Sequence, residues 1–295
     1  MRKFVAVCMC FAIVASTMLV SGCISSDDDS DTEKKGTVSF ALPPWPGVTV
    51  KTEVVKQILE EKGYTIEKNT LDAGIVYAEM AEGNIDVLLA GWLPVTHQDY
   101  WALYGDSLEQ VNINIPSTWL GIAVPTYVYE QGVTSIYDLE TYADEFDNRI
   151  VGIEPGAGIM ASTTTAIDVY GLDSITLQSS STPAMMAEVD SSINDEEWIA
   201  FTIWEPHSAF ARFDVQKLED PEEVYGGGDV VYTIAREGFS EDFPEVYAFL
   251  QNFAVDPDDQ SGWILRYSDE GVDPEVVASE WIEENRDLVD SWWPS

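Results

Sequence analysis

The stretch TVSFALPPWPGVTVKTEVVKQILEEKGYTIEKNTLDAGIVYAEMAEGNIDVLLAGWLPVTH, residues 37–97, decides the fold. Residues 38–42 read as extended, 52–62 carry apolar side chains at helical spacing, and Gly63 stops that helix. Residues 65–69 are extended again, 75–82 are helical and end at Gly83, and Ile85-Asp86-Val87-Leu88-Leu89-Ala90 is a short, almost wholly apolar run. Strands alternating with helices imply an α/β fold with a mostly parallel sheet, flanked by helices on both faces. Trp92 then falls just beyond the carboxyl end of a strand, the edge at which open α/β sheets take their ligands.

Working outward, Leu120-Gly121-Ile122-Ala123-Val124-Pro125 reads as a strand leaving this first lobe. A second series follows. Ser135 opens a short helix with Asp138-Leu139-Glu140 at its start, and Arg149-Ile150-Val151-Gly152-Ile153 is a strand. Glu154-Pro155-Gly156-Ala157-Gly158 turns into a helix beginning near Ile159, and residues 198–203 form a strand with Trp204 at its carboxyl end. Gly226-Gly227-Gly228 precedes residues 230–235, which read as the return crossing, and helical spacing recurs over 243–253, 261–266 and 274–285. The expected domains are lobe I at 37–125 and 230–295 and lobe II at 126–229. Two crossings between them define a cleft with a hinge.

The start of the chain has the pattern of export. Met1-Arg2-Lys3 is positive, residues 4–20 are apolar, and Val20-Ser21-Gly22-Cys23 leads into a polar run over 25–35. The reading is a signal peptide at 1–22 and a tether at 23–36 with Cys23 resembling an acylated lipobox cysteine. The alternative is an uncleaved anchor, since roughly 17 apolar residues is near the lower limit for a bilayer span. Cys8 and Cys10 lie inside the apolar segment, so the exported part has no thiol for a disulfide, and with two histidines a structural zinc site is not expected. No cofactor is implied. The formal net charge of −39, without any cluster of Lys and Arg, excludes nucleic acid as a partner. Such acidity suits a solvated surface at high salt and hints at a halophilic source.

Both histidines follow a Trp-x-Pro, at Trp92-Leu93-Pro94-Val95-Thr96-His97 and Trp204-Glu205-Pro206-His207. Tryptophan is the strongest aromatic partner for a cation, above all a methylated ammonium, and a histidine or a backbone N–H can hold a carboxylate. Trp45 stands in the turn-rich run Leu42-Pro43-Pro44-Trp45-Pro46-Gly47, where a displayed side chain is expected. A single tryptophan in an α/β protein is more often core; Trp45, Trp92 and Trp204 are joined by their shared position after strands. The other seven tryptophans read as core or docking residues. The glycine turn at 154–158 heads a helix whose first N–H groups lack internal partners, a candidate anion site, although such a turn taken alone is more often merely structural. No Lys-Ser/Thr follows it, so it is not a nucleotide loop. Paired with His97 across the cleft, the turn could hold one carboxylate from both lobes. His207 and Glu205 are candidates for support behind Trp204, and Arg212 is expected to pair with an acid.

At Gly91-Trp92-Leu93-Pro94-Val95-Thr96-His97, Gly152-Ile153-Glu154-Pro155-Gly156-Ala157-Gly158-Ile159-Met160 and Trp204-Glu205-Pro206-His207, the chain resembles the glycine betaine binding proteins of osmoprotectant ABC importers. The resemblance runs from about Thr37 to Trp292. It implies a two-lobed periplasmic-binding-protein fold of type II, with a prism of Trp45, Trp92 and Trp204 around a quaternary ammonium. It also implies His97 and the amides of Gly158 and Ile159 on the carboxylate. A permease and an ATPase would be the partners, and the domain would sit outside the cell on a lipid anchor, delivering glycine betaine or proline betaine without bond chemistry. Family members often carry Thr where Glu205 stands and an aromatic where Ser208 stands, and the strand before Trp45 is rich in proline. The alternative is an exported hydrolase acting on a small polar substrate. Against it, the chain has no Gly-x-Ser-x-Gly elbow and no His-Glu-x-x-His, and its exported part has no thiol.

Overall fold

The computed structural model describes residues 35–294; the expected signal peptide, Cys23 and most of the tether lie outside them. The alternation expected over residues 37–97 is present. Strand β1 (Thr37–Leu42) leads through helix α1 (Pro46–Glu61) to β2 (Thr65–Thr70), and helix α2 (Ala73–Ala81) leads to β3 (Val87–Leu93). Helix α1 starts six residues before the apolar spacing marks it, because Pro46 takes its first position, where a fixed φ suits the helix and the missing N–H is no loss. Trp45 is therefore the N-cap residue and is buried, correcting the expectation of a displayed loop side chain.

Two five-stranded mixed sheets follow one plan. The first has the order β2-β1-β3-β10-β4, where β4 is Leu108–Ile115 and β10 is Val230–Arg236. The second has the order β7-β6-β8-β5-β9, built from β5 (Trp119–Pro125), β6 (Arg149–Val151), β7 (Thr176–Gln178), β8 (Phe201–Glu205) and β9 (Val215–Lys217). In each sheet three strands are parallel and the fourth runs against its neighbours: β10 against β3 and β4, and β5 against β8 and β9. That antiparallel strand is in both cases the one that has just crossed from the other lobe.

This topology corrects the reading of residues 120–125. They are not the last strand of lobe I; β5 pairs with β8 and β9 inside the second sheet, and its register sets Leu120 beside Trp204. The first crossing is the short segment Pro116-Ser117-Thr118 rather than a break after Pro125. It meets the return crossing directly. The Thr118 hydroxyl donates to the Asp229 carbonyl at 2.7 Å, and Gly228, at φ +98°, passes so close that a Cβ there would lie 2.8 Å from the Thr118 carbonyl oxygen. Only glycine combines that backbone angle with that approach.

The helices after β10 return to lobe I: Pro257–Ile264 and Pro274–Glu284 pack on α1, and Pro244–Asn252 packs on β4. Trp263, Trp281 and Trp292 knit this layer together, with Trp263 edge-on to Trp281 at 5.1 Å and Trp281 stacked on Trp292 at 6.0 Å. Such aromatic contacts add to the burial of large apolar area and hold the layer against α1.

Candidate functional site

Six side chains or amides singled out from the sequence converge. Trp45 at the head of α1, Trp92 on β3, His97 in the turn before the helix Gln98–Tyr104, Trp204 on β8, and Gly158 and Ile159 at the start of the helix Gly158–Tyr170 all line one cavity between the lobes. All three indoles are less than a tenth exposed. Trp92 and Trp204 lie within their strands rather than just beyond them. In both, the strand ends one residue later, so the indole sits at the carboxyl edge of its sheet.

The lobes meet tightly around this cavity. A Cβ on Gly158 would lie 2.2 Å from the Thr96 carbonyl oxygen of the opposite lobe, so no larger residue fits there without parting the two. The Tyr100 hydroxyl donates to the Gly156 carbonyl at 3.0 Å. At another point on the seam, Asp269 accepts from Ser208 at 2.8 Å and pairs with Arg212 at 2.7 Å. Arg212 also reaches Asp190 at 2.9 Å, so it is paired with acids as expected. Asp229, on the return crossing, accepts the amides of Val95 and Thr96 at 2.7 and 3.0 Å and fixes the turn that carries His97.

His97 has a defined chemical role in this setting. Its Nδ1 accepts the Trp92 amide at 3.2 Å and lies 3.1 Å from the Tyr77 hydroxyl, while Nε2 is buried without a protein partner. A backbone amide can only donate, so Nδ1 carries the lone pair and the proton is on Nε2. Burial lowers the pKa of the ring to about 3, which keeps it neutral. The result is a neutral N–H donor in the cavity wall. Across from it, the helix Gly158–Tyr170 begins at Ala157, whose side chain provides no cap, leaving its first amides available to an anion.

His207 is placed differently. Its ring meets Trp204 edge-on at 4.9 Å and its Nδ1 accepts the Ala209 amide at 3.1 Å. It lines a larger neighbouring cleft with Arg212 and Asp269, not the tryptophan cavity. Glu205 is paired with Lys217, whose ammonium lies 4.8 Å from the Trp119 ring. Both residues brace the strand that carries Trp204.

Two polar side chains of the wall, Lys51 and Gln260, carry no signal in the sequence. Lys51, on α1, is fully buried, and its Nζ donates to Asn114 Oδ1 at 2.9 Å. Gln260, on the helix Pro257–Ile264, is buried with Oε1 unpartnered. Gly47, Val48 and Lys51 share one face of α1, and only the position of Trp45 as the N-cap reveals that this face is the cavity wall.

Comparison with known proteins identifies relatives of the chain. A glycine betaine/carnitine transport binding protein of Listeria monocytogenes is 42% identical over 151 residues, which is half of this chain and half of that relative's length. A lactococcal OpuAC in its closed conformation with glycine betaine superposes with a TM-score of 0.82 at 31% identity, over 88% of this chain and all of that one. An ABC-transporter choline binding protein in complex with choline reaches 0.83 at 28% identity, over 87% of this chain and 91% of that one. The fold is the two-lobed type II periplasmic-binding-protein fold. The family model for the substrate binding domain of ABC-type glycine betaine transport systems matches residues 36–284, and the chain belongs to that family.

Proposed function

We propose that the protein captures glycine betaine, or a related quaternary ammonium zwitterion such as proline betaine, and delivers it unchanged to an ABC permease and ATPase for osmoprotection. The observation that carries this reading is the convergence of Trp45, Trp92, Trp204, His97, Gly158 and Ile159 on one cavity. A trimethylammonium is permanently charged and poorly hydrated at its methyls, so indole faces replace water favourably, each desolvated contact contributing on the order of 1–2 kcal/mol. The carboxylate of the same solute takes the Nε2–H of His97 and the free amides of the helix Gly158–Tyr170. Three of the donors and rings belong to each lobe, so the ligand stabilises the closed form over an open one. Choline would leave the anion-holding groups without a partner, which favours betaine.

The reading extends to the chain's start: Cys23 is the lipid attachment point after signal removal, and residues 23–36 hold the domain at the outer face of the membrane. The acidic surface fits a salty exterior. Calorimetric titration of glycine betaine tests the cage. Trp92→Ala and Trp204→Ala are expected to weaken binding at least about tenfold, the loss of one cation–π contact, with an unchanged circular dichroism spectrum. Unaltered affinity in folded variants would refute it.

A further inference from the structure

Lys51 has no evident business in a cavity built for a cation. Its side chain is 1% exposed, it lines the same wall as Trp45 and Trp92, and its Nζ reaches a neutral amide oxygen on Asn114. Asn114 is itself held by the Leu89 carbonyl and the Thr233 hydroxyl, so it offers no charge. Among the described residues no carboxylate pairs with Lys51. On its own helix, Glu53 is occupied by Lys56 and Lys68 at 2.7 Å each. From the helix packed on α1, Glu275 approaches Lys56 at 3.5 Å. The turn after β3 contributes the neutral ring of His97, the helix Pro257–Ile264 contributes the uncharged Gln260, and the lobe II residues of the cavity wall, Leu120, Ile153, Ala157, Gly158, Ile159 and Trp204, carry no charge.

An unpaired ammonium in a dry cavity repels a second cation strongly, because little solvent screens the pair. A zwitterion brings its own carboxylate and enters with no net charge. A bare quaternary cation does not. Resting on the betaine reading above, we propose that Lys51 sets the net charge of the solutes this cavity accepts, admitting quaternary ammonium zwitterions and rejecting quaternary cations that lack a carboxylate, such as choline. Burial lowers the pKa of Lys51 to about 7, so the discrimination has a direction in pH. Below that value the ammonium form opposes choline; above it the neutral amine no longer does.

The test is a calorimetric titration of the protein with glycine betaine and with choline at pH 6 and pH 9, for the natural chain and for Lys51→Met, which keeps the length and removes the charge. The ratio of betaine to choline affinity is expected to fall at least tenfold from pH 6 to pH 9 in the natural chain. In Lys51→Met it should already be at the lower value at pH 6 and should not change with pH. A ratio indifferent both to pH and to the substitution, with betaine still bound, overturns the role of Lys51 alone. Failure of the natural chain to bind either solute overturns the cage reading and this proposal with it. Should the variant not fold, the pH series on the natural chain decides by the same criterion.

Discussion

The turns Trp92-Leu93-Pro94-Val95-Thr96-His97 and Trp204-Glu205-Pro206-His207 each end on a buried imidazole whose Nδ1 accepts a backbone amide and whose Nε2 has no protein partner. They differ by two residues of spacing. The five-residue step lets His97 fold back onto the amide of Trp92 itself and present Nε2 to the tryptophan cavity beside Trp45, at a ring separation of 5.9 Å. The three-residue step places His207 edge-on behind Trp204, at the wall of the cleft that Arg212 and Asp269 also line. Local chemistry is thus shared, and the length of the turn decides which ring lines the tryptophan cavity and which packs behind Trp204.

What the two rings share is tested by acid. Burial lowers both pKa values to about 3 from an ordinary 6.5. The unfolded chain therefore takes up protons first as the pH falls below 6.5, and stability is lost from there down toward pH 3. The slope is at most ~1.4 kcal/mol per pH unit for each ring. Denaturant titrations across this range should give a shallower decline in His97→Asn and in His207→Asn, by comparable amounts. Equal slopes in all three proteins would show that neither ring contributes, and a change in only one variant would break the equivalence.

What separates the rings is tested by binding. Replacing His97 by Ala removes a donor to an ionised carboxylate, worth about 1.5–3 kcal/mol, so betaine affinity should fall at least about tenfold. Arg212→Ala loosens only the seam between the lobes, through a partly exposed pair with Asp269, and should weaken betaine by about fivefold or less. The effect should shrink in high salt, as measured by titration at two ionic strengths. Smallest of all, His207→Ala should leave affinity within about threefold, since the ring acts on Trp204 through packing, and should lower thermal stability instead. A His207 variant as impaired as the His97 variant would erase the distinction.

Much of this was legible in the sequence because the site is made of turns that follow buried strands. Apolar runs such as Ile85–Ala90 fix where a strand ends, and a Trp-x-Pro at that point can only lie at the sheet's carboxyl edge. The glycine turn was legible for a related reason: Gly158 is needed where Thr96 of the other lobe touches it. Less could be read where tertiary pairing decides. Residues 119–125 look the same as the last strand of one lobe or the first of the next, and only their hydrogen bonds to β8 and β9 assign them. Trp45 reads as displayed because prolines surround it, whereas Pro46 starts a helix and the indole is buried. Lys51 and Gln260 gave no signal at all, since a lysine at helical spacing ordinarily marks a solvated face. Its burial depends on the helix Pro257–Ile264, some 200 residues later in the chain.

The most direct measurement is a crystal structure of the protein with glycine betaine bound. The account predicts one molecule in the interlobe cavity, its methyls against Trp45, Trp92 and Trp204 and its carboxylate within hydrogen-bonding distance of His97 Nε2 and the amides of Gly158 and Ile159. A betaine found in the His207 cleft, or with its carboxylate turned away from His97, would contradict it.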